Sequence, residues 1–358
     1  MLYPGSGSKR AQKDNVSHAS HDFRRRKITA ICCVLALLLA LAFYLHDPEG
    51  FTQALRIAAE GAYSEATPQP GATPFLEAAA ATPMPSPSPA SIPGQTEGTL
   101  EIYVLDVGQG DSIFLRSPKG KTMLVDTGEA QYFSVIDDFL QKQGVEKLDV
   151  VVATHPHSDH IGSMYKVLDA YPVRKFYLPA VTHTTSTFEK MLSSLEAQNV
   201  TPKIAYASKS AKIAWGDSSV TARILSPFEG VDYDMNNWSI VLNVHYGETS
   251  ILLTGDAEAY AESVMLANLP VPEEELAATV LKLGHHGSST STSEAFLSAV
   301  SPEIAVVSVG KGNDYGHPNE ETLALLEQHG ITLYRTDEQG TIKIVLDGTR
   351  ATVTVEKG

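Results

Sequence analysis

Residues 155–160 read HPHSDH, directly after a strand-like apolar run, VVAT. Three imidazoles and a carboxylate thus fall within six residues of a chain that has 12 histidines in all. These are the donors zinc prefers, and manganese or iron when oxygen ligands increase. His155 and His157, two apart at a strand exit, can point to the same side of the loop and grip one cation. Asp159 and His160 can face a second cation close by. This stretch offers at most four ligands, so the rest of any such site lies elsewhere in the chain.

Other segments carry suitable groups at strand ends. Asp256 follows TSILLTG, and LKLGHHGS supplies His285 and His286. Asp256 also suits the N-cap of a helix over AEAYAES. Asp126 in VDTG follows KTMLV. Asp106, Gln109, Gly110 and Asp111 sit in LDVGQGDS, a tight loop whose glycines allow close backbone approach. His317 in NDYGHPNEET begins a helix whose entry Pro318 fixes. Ser288, Ser289, Thr290 and Ser291 can donate hydrogen bonds to substrate oxygens.

H-x-H-x-D-H after a hydrophobic strand resembles the metal-binding signature of the metallo-β-lactamase superfamily. LDVGQGDS, VDTG, LLTGDAE and LKLGHHGSSTS resemble a narrower branch, the soluble domain of ComEC-type DNA-uptake proteins together with secreted choline-phosphate esterases. The likeness covers residues 99–345 and implies an αββα sandwich. It implies two divalent ions, zinc or manganese, with Asp256 bridging them and a hydroxide between them as nucleophile. One ion would take His155, His157 and Asp256. The other would take Asp159, His160, Asp256 and a histidine from 285–286, with His285 preferred because it leaves the strand first. His286 would then contact substrate or support a ligand. The likeness also gives Asp159 a catalytic role, places Asp126 beneath the metal loop, and sets His317 at the mouth as an acid or a phosphate-oxygen ligand. Asp106, Asp111 and Ser288 are supporting candidates. Lactamase-like enzymes carry one more histidine before the bridging aspartate. The corresponding stretch here, DMNNWSIVLNVHYG, instead has Asn236 and Asn237. His245 reads as a strand surface residue, and His183 in VTHTTST as a loop residue with some reach.

These groups need a scaffold of strands that end together. TLEIYVLDV, DSIFLRS, KTMLVDTG and LDVVVATH read as strands, with helices entering only after the fourth, near 160–170 and 186–198. VTARILSP, SIVLNVHYG, TSILLTGD, TVLKLGHH and IAVVSVG form a second strand set, with helices near 257–268, 292–299 and 320–328. IKIVLDG and ATVTVEKG come last. Two β-rich halves with helices outside suggest stacked sheets flanked by helices.

Upstream, Ile28–Leu45 is 18 residues without a charge, roughly 27 Å as a helix and enough to cross a hydrocarbon core. Residues 1–27 carry a net +5, so the positive-inside rule keeps them cytoplasmic and exports the chain beyond the apolar run. A cleaved signal is the competing reading, and the bulky exit AFYLHD argues for a retained anchor. Residues 46–96 become a Pro-, Ala- and Ser-rich linker. The expected organisation is therefore 1–27 basic tail, 28–45 transmembrane anchor, 46–96 linker and 97–358 hydrolase domain. Cys32 and Cys33, the chain's only cysteines, lie inside the apolar run, so no disulfide partner is expected.

The chain totals −15 and everything after residue 27 sums to −20, which disfavours bulk-charge binding of nucleic acid. Arg116, Lys119, Lys121 and Lys311 in loops offer a local landing strip. The expected function is a membrane-anchored extracellular metallohydrolase of phosphodiesters, whether DNA, a nucleotide or a wall polymer. The alternatives are a lactamase-like acyl hydrolase, a choline-phosphate-type esterase, and a binding module without catalysis.

Overall fold

Alternation along each apolar run assigns its side chains to two different cores. In β1 (Leu100–Val104), Leu100, Ile102 and Val104 enter a central core while Tyr103 faces the other way. The computed structural model describes residues 98–357. The expected tail, transmembrane anchor and linker lie outside the described residues. Among the described residues, no helix is long and apolar enough to cross a membrane.

β2 (Ile113–Arg116), β3 (Thr122–Val125), β4 (Val150–Val152), β5 (Phe176–Leu178) and β6 (Lys203–Ile204) join β1 in the first sheet. With β14 (Ile342–Leu346) and β15 (Ala351–Val355), the order is β15-β14-β1-β2-β3-β4-β5-β6. The second sheet comprises β7 (Lys212–Ile213), β8 (Val220–Ser226), β9 (Val241–Tyr246), β10 (Thr249–Leu253), β11 (Val280–Lys282), β12 (Ile304–Val307) and β13 (Thr332–Arg335). Its order is β13-β12-β11-β10-β9-β8-β7. β3 to β6 run parallel, as do β10 to β13.

The helices are α1 (Phe133–Lys142), α2 (Ser158–Ile161), α3 (Met164–Ala170), α4 (Ser186–Ala197), α5 (Ala259–Asn268), α6 (Pro272–Glu275), α7 (Glu294–Val300), α8 (Glu320–Gln328) and α9 (Thr336–Gln339). Ile136 and Leu140 of α1, Val167 of α3 and Met191 of α4 pack on the outer face of the first sheet. Met265 of α5, Phe296 and Leu297 of α7 and Leu326 of α8 cover the second. The central core draws on strands of both sheets, Val150 and Val152 from one and Ile251 and Leu253 from the other. The layers are therefore helix, sheet, sheet, helix, as expected.

One expectation is corrected. A helix already enters between β3 and β4, because α1 is the crossover that two adjacent parallel strands require. Only Ile136 and Leu140 of its ten residues are buried, so its apolar stripe is thin in SVIDDFLQK. The parallel strands of both sheets end at the same pole. Asp126 follows β3, His155 follows β4, Asp256 follows β10, and His285 and His286 follow β11.

Candidate metal centre

β4 delivers Thr154 and His155 into a buried loop, and α2 begins at Ser158, so Asp159 and His160 turn back toward the strand ends. Asp126, left-handed at φ 59°, lies beneath them. It accepts from Thr154 N at 2.8 Å and from Thr154 Oγ1 at 2.6 Å. Burial pushes its pKa up, against the pull of His160. His160 Nδ1 lies 2.8 Å from Asp126 Oδ2, which holds the proton on Nδ1 and turns the Nε2 lone pair inward.

The same device recurs at each neighbouring imidazole. Thr154 Oγ1, already donating to Asp126, accepts from His155 Nδ1 at 3.2 Å. His286 Nδ1 donates to Ser308 O at 2.9 Å, and His285 Nδ1 to Glu258 Oε1 at 2.9 Å. All four rings therefore turn Nε2 toward Asp256. His160 Nε2 is 3.1 Å and His286 Nε2 3.6 Å from Asp256 Oδ1, while His155 Nε2 is 3.8 Å and His285 Nε2 3.9 Å from Oδ2. His286 Nε2 is also 3.4 Å from Asp159 Oδ2, and His157 Nδ1 is 3.0 Å from His155 Nε2.

Asp159, His160, Asp256 and His286 each offer one ligand atom within 4.8 Å of the others. Three of those residues leave a buried atom without a hydrogen-bond partner, namely His160 Nε2, Asp256 Oδ1 and His286 Nε2. Buried polar atoms are normally satisfied. Three orphans converging on one point, all nitrogen or oxygen and held between carboxylates, suit a divalent cation.

Charge agrees with that fit. Burial opposes ionisation of Asp256, yet His160 and His286 hold its carboxyl well below the usual range. Asp159 is likewise lowered, against burial, chiefly by His160. Burial opposes the charged form of His160 too, but Asp256, Asp126 and Asp159 raise its pKa well above the ordinary value. His286 is raised, against burial, by Asp256 and Asp159. His155, by contrast, is kept neutral first by burial and then by His160.

Several sequence expectations change. Against the expected preference for His285, the residue grouped with Asp159, His160 and Asp256 is His286. Both histidines are left-handed, at φ 46° and 54°, so leaving the strand first does not decide which one faces the cluster. Burial separates them, since the His286 side chain is 2% exposed and that of His285 25%. Asp256 does not cap a helix, for α5 starts at Ala259 and Asn237 Oδ1 accepts from Glu258 N and Ala261 N. Asp106 is outside the cluster, pairing with Lys357 and accepting from Gly108 N.

Asp111 supports the site from below. Its backbone N–H donates to Asp159 O and its carboxylate meets Lys282 Nζ at 2.9 Å, both side chains buried. Gly110 makes that approach possible, because a Cβ there would lie 2.3 Å from Asp159 O. Asn236 Nδ2 and Thr290 Oγ1 both donate to Glu258, and Ser288 Oγ pairs with Thr290. No imidazole comes from the Asn236–Asn237 turn. His183 stands 6.4 Å from the His157 ring, centre to centre, and His245 lies within β9.

His317 stands at the mouth, its ring 5.5 Å from that of His285. Burial, then His285 and His286, push its pKa down to about 4, so at neutral pH it is an uncharged imidazole. An acid working at neutral pH is served by the opposite shift, so the lowered value favours hydrogen bonding over the acid role expected for His317. The basic landing strip is split as well. Arg116, Lys119 and Lys121 flank the β2–β3 hairpin at the far end of β3, bonded to Gln143 O, Asp217 and Asp149, and only Lys311 lies on a loop at the site pole.

Ser239 Oγ accepts from Asp256 N at 3.0 Å and lies 3.3 Å from His155 Nδ1, so Ser239 joins Thr154, Glu258, Lys282 and Ser308 as contributors absent from the sequence expectations. Ser308 acts through its carbonyl, which no side-chain motif records. Glu258 was visible only as the last letter of LLTGDAE.

Residues 105–311 match the metallo-beta-lactamase superfamily. The chain is 32% identical over 264 residues to ComE operon protein 3 of Bacillus subtilis (strain 168), covering 68% of this chain and 32% of that protein. It is 33% identical to competence protein ComA of Neisseria gonorrhoeae, over 72% of this chain and 33% of that one. With recombination protein 2 of Haemophilus influenzae the identity is 29%, over 69% of this chain and 29% of that one. The chain thus spans about a third of the length of these curated relatives.

Proposed function

The chain belongs to the metallo-β-lactamase superfamily, and from that membership we propose that it is a metal-dependent phosphodiesterase, anchored in a membrane by residues 28–45 with its hydrolase domain outside the cell. The convergence of the unpartnered His160 Nε2 and His286 Nε2 on the unpartnered Oδ1 of Asp256 carries this reading. Asp159, His160, Asp256 and His286 would hold one divalent ion, zinc or manganese. His155, His157 and the other oxygen of Asp256 would hold a second. Bound ions supply Lewis acidity toward a phosphoryl oxygen and make a coordinated water acidic enough to attack near neutral pH.

The chain's own groups do the positioning. Asp126, Thr154, Ser308 and Glu258 fix the imidazoles by their Nδ1 atoms, so little reorganisation is needed when charge develops. Asp159 stays ionised and its side chain is 27% exposed, so it can accept a hydrogen bond from an attacking water as well as serve as a ligand. Substrate enters where His157, Asp159 and His285 are open, past His317, with the Thr290 and Ser288 hydroxyls at the rim. DNA, a nucleotide or a wall polymer all present the required diester.

The acyl-hydrolase reading is weaker, because the turn before Asp256 offers Asn236 and Asn237 where lactamase-like enzymes place a histidine. A choline-phosphate ester is the second reading, since it asks for the same diester chemistry. The test is hydrolysis of an activated phosphodiester by the full-length protein with added manganese or zinc, beside a chromogenic cephalosporin. Phosphodiester turnover with little cephalosporin turnover is expected, and the reverse would move the assignment to acyl transfer.

A further inference from the structure

Tyr315 is the most solvent-open of the exposed large hydrophobic side chains among the described residues, at 69%, and it sits at the mouth of the metal centre. Its ring stacks on His317, centroids 5.6 Å apart and planes 26° from parallel. The His317 ring is 5.5 Å from His285, whose Nε2 faces Asp256. A file of rings thus leads from the bridging carboxylate out to one free aromatic face.

That face is held firmly. Asn313 accepts from Tyr315 N and His317 N through Oδ1, at 3.1 and 3.0 Å. Its Nδ2 donates to Gly310 O and His317 O at 3.1 and 2.7 Å. Asn319 Oδ1 accepts from Ser289 N at 2.7 Å, and Asn319 N donates to Gly287 O at 2.9 Å, which docks the loop onto the HHGS segment. Gly287 is needed for that docking, because a Cβ there would lie 2.6 Å from Pro318 Cβ. A loop tied at this many points fixes the backbone that carries the tyrosine, and the stack on His317 sets the plane of its ring.

Resting on the phosphodiesterase reading above, we infer that Tyr315, backed by His317, is a stacking platform for a base of a nucleotide strand whose scissile diester lies at the metal centre. Every nucleobase has a π face, so one flat ring takes any of them and adds affinity without reading sequence. A quaternary ammonium would ask for several rings converging around it, whereas Tyr315 offers a single open face stacked on its neighbour. The platform also suits an acidic protein, since stacking needs no basic surface. The enzyme then selects nucleic acid or nucleotide diesters over diesters that carry no planar group.

The test compares a fluorescent, hydrolysis-resistant phosphorothioate oligothymidylate with an abasic strand of the same backbone and length, bound to the metal-loaded full-length protein. Wild type should prefer the base-bearing strand, and Tyr315→Ala should lose about 5- to 10-fold of that preference, the low end for base stacking on an aromatic ring. Tyr315→Phe and Tyr315→Trp should keep it. Equal binding of both strands by wild type, or an unchanged preference in Tyr315→Ala, overturns the platform. Cleavage of the corresponding unmodified strands separates the readings: cleavage of both without a base preference refutes the platform and leaves the phosphodiesterase standing. A Tyr315→Ala defect confined to a choline-phosphate ester also refutes the platform.

Discussion

Asp256 divides its carboxylate, Oδ1 toward His160 and His286 and Oδ2 toward His155 and His285. Asp256→Asn should therefore reduce metal content at both positions, read by elemental analysis of the purified protein. A variant with full metal and full rate would remove the bridging role. Asp126 acts one step back, so Asp126→Asn should cost about 10- to 100-fold in metal affinity with little change in the bound geometry, measured by competition with a chromophoric chelator. Raised His160 and His286 values mean that a cation must displace protons. In the metal-free protein these two rings stabilise the fold below about pH 6.5, and that contribution fades as pH rises through their folded values. His155, lowered by burial, acts with the opposite sign. Metal affinity should accordingly rise with pH up to the raised folded values of these two rings and level off above them, with proton release in calorimetry across buffers of different ionisation enthalpy. Proton-silent binding would contradict the linkage. HPHSDH and Asp256 were legible because strand-end histidines and carboxylates at that spacing have few other uses. The choice between His285 and His286 was not, because it turns on two left-handed backbone positions that no spacing rule encodes.

β11 and the β1–β2 loop are fastened across the sandwich by Lys282 and Asp111, a pair with side chains 0% and 2% exposed. Removing one partner strands the other charge in the interior, a loss of about 3–5 kcal/mol. Lys282→Met should lower stability by that order in urea unfolding, and Lys282→Met with Asp111→Leu should recover a large part of it. Equal losses in the single and double variants would show that the pair matters through shape instead. In LKLGHH the lysine interrupts an apolar run, and no spacing pairs it with Asp111 in the distant loop LDVGQGDS. Strands such as β1, β4 and β10 were readable from long apolar runs buried on both faces. β6 and β7 have two residues each, too few for any period to register, and β5 has three.

Charge and topology belong to the whole chain. A reporter fused after Gly358 should be active only outside the cytoplasm, since basic residues precede the apolar run. External protease on intact cells should cut within 46–96 and release the domain. Protection from protease together with a cytoplasmic reporter signal would overturn the anchor. The −20 carried beyond residue 27 leaves little attraction for a polyanion, and three of the four candidate basic residues stand at the pole away from the metal centre. Cleavage of single-stranded DNA should therefore slow as salt falls. A rate that climbs at low salt would point to a basic track elsewhere on the surface.

β1 is the first strand of the described fold, yet it pairs with β14 on one side, and Asp256, His286 and Ser308 all come from the second half of the chain. A ribosome that has reached Leu178 has made HPHSDH and strands β1 to β5 around it, but no bridging carboxylate and no facing histidine. The cluster cannot assemble until β11 and Ser308 have been made. In the membrane-anchored phosphodiesterase proposed above, the nascent form would thus be inert toward the diesters of the cell that makes it.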